Sequence, residues 1–159
     1  MTKHILILIW MMLGVSLAQQ PATPKPPPGL PTDAKLFNGK WYAVILEKVD
    51  WQVAQKRCKQ KGGQLVVIHD EVTSSFIKSL TNLRVWLGAT DEKVEQKWVW
   101  SDGKEMTFTN WGEGEPNNRE GKDQYLRTGA EGKWVDHPKK WDAHVELPVV
   151  GYICEWKAK

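Results

Sequence analysis

Glu115, Asn117, Asp123 and Asp136 are four oxygen-bearing side chains on a stretch that Gly112, Gly114 and Pro116 keep irregular. Oxygen donors on an irregular loop suit a hard cation such as calcium, which takes about 6–8 oxygen ligands in flexible geometry. The four residues are a candidate calcium site. A polar surface loop whose acids are merely solvated has the same composition, so the residues alone leave both readings open. Other chemistry has less support. His137, Asp142 and His144 could gather a transition metal, but solvated His-containing loops look the same. Ser74, His69 and Asp70 are too close in sequence to build a nucleophilic triad, and no Gly-x-Ser-x-Gly, His-Glu-x-x-His or phosphate-loop motif is present. A binding protein is expected, not an enzyme.

The elements that must position these residues are legible in the hydrophobic pattern. Lys40 to Leu46, rich in β-formers, reads as a strand. Asp50 then caps a helix in which Trp51, Ala54 and Cys58 share a face and which Gly62-Gly63 ends. Gln64 to Ile68 reads as a short strand, and Asp70 caps a second helix with the stripe Val72, Phe76, Ile77 and Leu80. After Asn82 the period changes to two, with strands expected at Val85–Ala89, Lys97–Ser101, Met106–Trp111, Gln124–Thr128, Lys133–Val135 and Val149–Trp156. Helices followed by strands, with long first and last strands, indicate an α+β domain with an antiparallel sheet whose termini pair. Between Trp111 and Gln124 there is no periodicity, and a long irregular segment in a compact domain is typically functional or disordered. Most of the ten tryptophans suit the core, with a sugar-stacking platform as the alternative for Trp111 or Trp141.

The chain of 159 residues has room for one domain, and a net charge of +3 from 22 basic and 19 acidic residues carries no polyanion signature. Lys56, Arg57, Lys59 and Lys61 cluster, but on an amphipathic helix they read as its solvated face, so no nucleic-acid partner is expected. Residues 1–18 read as a secretory signal peptide: Lys3 and His4, an apolar run from Ile5 to Leu17, then Ser16-Leu17-Ala18 as a small-residue cleavage pattern. That run is shorter than the ~20 apolar residues that span a bilayer, so no membrane span is expected after cleavage. The protein is then secreted or extracellular, or periplasmic or cell-surface if bacterial. In an oxidising compartment the only two cysteines, Cys58 and Cys154, are expected to pair. A catalytic Cys58 would need a neighbouring base, and none is supplied locally. Residues 19–36, with Pro21, Pro24, Pro26, Pro27, Pro28 and Pro31, read as an extended Pro-rich linker, and residues 37–159 as the folded domain.

Taken together, these motifs resemble the C-type lectin-like domain. Val85-Trp86-Leu87-Gly88 resembles the family's Trp-Ile-Gly-Leu core motif, Glu115-Pro116-Asn117 matches its mannose-type calcium motif, and Lys133-Trp134-Val135-Asp136 is similar to its Trp-Asn-Asp segment. Cys58 and Cys154 fall where the family's outer disulfide joins the first helix to the last strand. The resemblance implies the C-type lectin-like fold, two helices with antiparallel sheets and a long irregular calcium-binding loop. It implies Ca2+ as cofactor on Glu115, Asn117, Asp123 and Asp136, with Glu115, Asn117 and Asp123 also contacting the ligand. A cis bond before Pro116 is implied, and a weaker second calcium site at Asp91, Glu95, Asn118 and Asp123, where Asn118 and Gln124 stand in places that acids commonly fill.

The function implied is calcium-dependent binding of glycans or glycoproteins of the mannose, fucose and N-acetylglucosamine type, with oligomers supplying avidity. Val135 stands where the family has an asparagine that ligates the metal and donates to the sugar, which favours the alternative of a calcium-independent protein-recognition module on the same fold. Tyr125 and a residue near Lys139 replace the inner cysteine pair, and the stretch from His137 to Pro148 is longer than usual.

Overall fold

The computed structural model describes residues 25–144 and 146–158, so the signal-peptide reading and residues 19–24 of the linker lie outside the described residues. The elements run β1 (Lys35–Phe37), β2 (Lys40–Ile45), α1 (Trp51–Gln60), β3 (Gln64–Leu65), α2 (Glu71–Leu80), β4 (Val85–Thr90), β5 (Val99–Trp100), β6 (Tyr125–Thr128), β7 (Trp134–His137) and β8 (Gly151–Lys157). One sheet is ordered β1-β2-β8-β4-β6-β7, with β3 on β8 and β5 on β4. As expected, the ends of the domain pair: β2 lies antiparallel to β8, Trp41 opposite Trp156 and Ala43 opposite Cys154.

Both faces of this sheet are buried, and strand alternation divides the core in two. Trp41, Ala43, Tyr152, Cys154, Trp156, Trp86 and Tyr125 point to the side covered by Trp51, Ala54 and Cys58 of α1. Their neighbours Tyr42, Ile153, Val85, Leu87 and Leu126 point to the side covered by Ile77 of α2 and by Trp98, Trp100 and Trp134. Some buried indole N–H groups are answered by backbone, Trp51 Nε1 donating to Leu87 O and Trp86 Nε1 to Val49 O, both at 2.8 Å, while those of Trp41, Trp98 and Trp100 have no partner among the described residues. Gly88 is required by close approach, since a Cβ there would sit 2.7 Å from both Leu65 O and Val66 O.

Several expectations are corrected. The sheet is mixed rather than antiparallel, because β8 returns beside β4 in the same direction, Val85 opposite Gly151; the long connection between them permits the parallel pairing. Met106–Trp111 forms no strand apart from a single bridge between Trp111 and Trp134; its alternation reflects Met106, Phe108 and Trp111 packing on the core. Val72, read as part of the α2 stripe, is 62% exposed, and the buried positions of that face are Ser74 and Ile77. Asp70 does cap α2, accepting from Thr73 N at 2.7 Å, whereas the Asp50 side chain makes no cap bond to α1. Asp50 Oδ1 instead accepts from Trp141 N at 3.3 Å, while Trp51 N donates to Lys139 O at 3.0 Å, so the start of α1 anchors the late insertion. The sheet also begins before residue 37, at Lys35, and the preceding segment is turned rather than extended. Leu30 N donates to Pro27 O and Ala34 N to Pro31 O, and Leu30 and Ala34 pack on the α1 side of the core.

Cys58 on α1 and Cys154 on β8 form a disulfide across 96 residues. On the chain-entropy account a loop of that size removes about 4–5 kcal/mol from the unfolded state. Replacing both cysteines by serine is expected to lower unfolding stability by that order in urea titrations. A loss below about 1 kcal/mol would mean that the bond contributes little beyond the packing of α1 on β8.

Candidate calcium and ligand site

The irregular loop is zipped to β7 before it reaches the site: Trp134 N donates to Asn110 O at 2.8 Å and Gly112 N to Trp134 O at 2.9 Å. Asn110 is itself held by α2, its Nδ2 donating to the buried Ser74 Oγ at 3.2 Å. The Glu115–Pro116 bond is cis. Beyond it, Asn117 N and Asn118 N both donate to the carboxylate of Asp136 on β7, at 3.1 and 2.6 Å. Asn118 then takes a left-handed conformation, its Oδ1 accepting from Asp123 N at 3.3 Å, while Arg119 N reaches Asp123 Oδ2 at 3.1 Å and Asn117 Oδ1 at 3.1 Å. Glu115 Oε2 accepts from Asn117 Nδ2 at 2.8 Å. Glu115, Asn117, Asp123 and Asp136 all line one cavity of about 610 Å³.

The second predicted set meets the first at Asp123. Asp91, just after β4, donates its N–H to Gln124 O at 3.2 Å, and its Oδ2 accepts from Gln96 N at 2.9 Å. Asp91 and Asp123 are both buried, and in each Oδ1 is enclosed with no partner among the described residues. Glu95 lies exposed on the same turn. Burial is the main reason that the Asp123 and Asp91 carboxyls both sit above the usual carboxylate range; Asp136 adds its negative charge to each, and Glu95 to Asp91. Burial, then Asp136, raise Glu115 to about 7. Enclosed anionic oxygens without donors call for a proton or a cation, so the donor chemistry fits calcium. Among the described residues no three His, Cys, Asp or Glu side chains converge closely enough to hold a metal by themselves. Any oxygen set here therefore has to draw on donors besides these acids, and the Asn117 side chain lines the same cavity.

Two cavity residues escaped the sequence reading. Arg127 on β6 pairs with Val135 on β7, and both line the cavity together with Arg84. Arg127 is only 6% exposed; burial, then the charge of Arg84, lower it to about 10. Strand alternation from the core residue Leu126 would have turned Arg127 toward the site, but the register against Val135 was needed to see it. The aromatic platforms are not at this cavity. Trp111 packs edge-on against Trp98 and Trp134 in the core, and Trp141 packs against the α1 side with Lys48 over its ring. Tyr125, in place of a cysteine, is buried against Trp51, and its hydroxyl accepts from Gln52 Nε2 at 3.0 Å. His137 is fully buried, its Nδ1 set against Pro138 O at 2.8 Å and its ring edge-on to His144. Burial holds it neutral down to about pH 4. His69 pairs with Asp102 at 2.9 Å, away from Ser74.

Comparison with known proteins accounts for this arrangement. The sequence profile of the lectin C-type domain matches residues 47–155. The chain belongs to the C-type lectin family. The lectin domain is 32% identical over 122 residues to a hepatic lectin of Gallus gallus, covering 75% of this chain and 56% of that protein. It is 37% identical over 107 residues to human C-type mannose receptor 2, covering 64% of this chain but only 7% of the receptor. The chain thus spans about half or much less of these relatives. The lectin domain superposes on the mouse scavenger receptor C-type lectin carbohydrate-recognition domain with a TM-score of 0.72 at 29% identity, covering 82% of this chain and 98% of that one. It also superposes on a calcium-independent type II antifreeze protein with a TM-score of 0.69 at 26% identity, covering 82% and 95%. The fold is therefore the α+β C-type lectin-like fold, and the family includes members that work with and without calcium.

The raised Glu115 carboxyl has a consequence for stability. Its proton is held more tightly folded than unfolded, so its contribution is complete below the unfolded value near 4.5 and is lost as pH rises toward about 7. The metal-free lectin domain is expected to lose melting temperature across that window, and Glu115→Gln to flatten the loss. A parent profile already flat from pH 4.5 to 7 would show that the carboxyl is not perturbed.

Proposed function

We propose that this domain is a secreted, calcium-dependent carbohydrate-binding module with no catalytic role, of the mannose, fucose and N-acetylglucosamine type. The observation that carries the reading is that Glu115, Asn117, Asp123 and Asp136 line one cavity with a buried, unpaired oxygen on Asp123. Calcium held by these residues would offer its remaining coordination positions to two vicinal sugar hydroxyls. Around it, the chain supplies the hydrogen bonds. Glu115 can only accept while ionised, and Asn117 Nδ2 can only donate. Without ligand the two satisfy each other at 2.8 Å; a hydroxyl set between them replaces one bond with two, donating to Glu115 and accepting from Asn117.

The order of acid then amide in Glu115-Pro116-Asn117 resembles the family pattern for equatorial vicinal hydroxyls. Asp91, Glu95, Asn118 and Asp123 form the proposed auxiliary calcium site, which would hold the loop rather than the sugar. The signal-peptide reading of residues 1–18 supports export, and among the described residues no helix is long and apolar enough to cross a membrane. Binding through one domain is weak, because Val135 removes a ligand and a donor, and clustering on the Pro-rich tether would raise avidity.

A second reading is favoured by two particular residues. Val135 puts an apolar side chain, and Arg127 a cation, on the cavity where a metal ligand is needed, as befits calcium-independent recognition of a protein. Retention on mannose resin separates the two. The expected outcome is retention in calcium, release by chelator, and little retention on galactose resin. Val135→Asn is expected to tighten mannose binding several-fold from a millimolar starting point, since one restored hydrogen bond contributes about 1 kcal/mol. Retention unchanged by chelator, or a galactose preference, would sink the assignment.

A further inference from the structure

The cavity has two residues that the calcium reading does not use. Three of its acids accept hydrogen bonds from the chain, Asp136 from two loop amides, Asp123 Oδ2 from Arg119 N and Glu115 from Asn117 Nδ2, and a fourth, Glu146, also lines it. Arg84, just before β4, and Arg127 on β6 line the same cavity, and among the described residues neither guanidinium has a carboxylate at ion-pair distance. Arg127 is more than nine-tenths buried; its Nη1 donates to Thr128 O at 3.0 Å, while Nε has no partner among the described residues. Two guanidinium groups lining one cavity, one of them buried with its Nε unused, are an arrangement that an oxyanion relieves and a neutral sugar does not.

From this we infer that Arg84 and Arg127 form an anion subsite, and that the preferred ligand carries a sulfate or carboxylate substituent beside the hydroxyls that Glu115 and Asn117 take. The inference rests on the carbohydrate-binding reading and narrows it to acidic saccharides. Within the shared cavity the negative substituent of such a ligand is repelled by Glu115, Asp123 and Asp136 and drawn to the arginines. Planar, forked donors suit both sulfate and carboxylate oxygens, so the chemistry is shared between sulfated sugars and uronic acids.

The test compares methyl glucoside, glucose 6-sulfate and glucuronic acid by titration calorimetry in calcium at low ionic strength, with inorganic sulfate alone followed by NMR. At least one charged sugar is expected to bind about tenfold more tightly than the glucoside, the scale of one charge-assisted hydrogen bond. That ratio should collapse in Arg84→Gln, survive in part in Arg84→Lys, and shrink with added salt. Arg84 is only half-buried, so its variants avoid the folding risk of changing Arg127, and their melting temperatures check the fold. Equal affinities for all three sugars, or a charged-sugar advantage that persists in Arg84→Gln, would overturn the subsite while leaving calcium-dependent sugar binding intact. Sulfate shifts at Arg84 and Arg127 with no calcium-dependent binding of any sugar would keep the subsite and overturn the carbohydrate reading. A preference that follows sulfate but not carboxylate, or the reverse, identifies which oxyanion the subsite takes.

Discussion

Two hydrogen bonds hold the site in place. The carboxylate of Asp136 accepts from the backbone N–H groups of Asn117 and Asn118, and so ties the irregular loop to a strand whose own position is fixed by β6. A charged acceptor serving two amides is among the stronger arrangements a loop can use. It also explains why so little regular structure is needed between Trp111 and β6. Asp136 is buried at the edge of the sheet, the loop is zipped to Trp134 on its near side, and Asn118 and Asp123 close the far side. Where the resemblance expects an inner cysteine pair, Tyr125 packs on Trp51, and the late insertion is held by the Asp50 side chain accepting from Trp141 N and by Trp51 N donating to Lys139 O.

The cost of that arrangement falls on the neighbouring acids. Asp136 repels Glu115, Asp123 and Asp91, and burial removes the water that would otherwise solvate them. Two enclosed carboxylate oxygens without donors are hard to maintain in the ionised state. A cation resolves the conflict, and that is the physical case for calcium. Against it stand Val135, which contributes no oxygen, and the buried charge of Arg127 on the same wall. On the calcium reading, acids that attract a cation and an arginine that opposes it act on the same cavity, so weak binding is the outcome that the proposal expects.

Much of the fold was legible because its signals are local. Helix stripes and the Asp70 cap gave α2, alternation gave β2, β4 and β8, and the gap in periodicity gave the loop. That Glu115, Asn117, Asp123 and Asp136 line one cavity could be anticipated only through the resemblance of their motifs, since a solvated polar loop has the same composition. What stayed hidden depends on contacts distant in sequence. Asp50 looked like a helix cap, yet its side chain is drawn to Trp141, some ninety positions away. Met106–Trp111 alternates like a strand but packs on the core with no ladder partner. The parallel pairing of β8 with β4 has no local signature. Arg127 and Arg84 belong to the cavity only through the sheet order, which sequence pattern does not specify.

Calorimetric titration of calcium into the mature chain, with the disulfide intact, tests the central claim most directly. The account predicts saturable binding with a Kd on the order of 10⁻³ M, in the weak range of extracellular sites. Near pH 7 the heat should depend on the buffer, because the metal displaces a proton from Glu115. Asp123→Ala should abolish the binding, since Asp123 belongs to both oxygen sets. No saturable binding in the millimolar range, or full binding retained in Asp123→Ala, would contradict it.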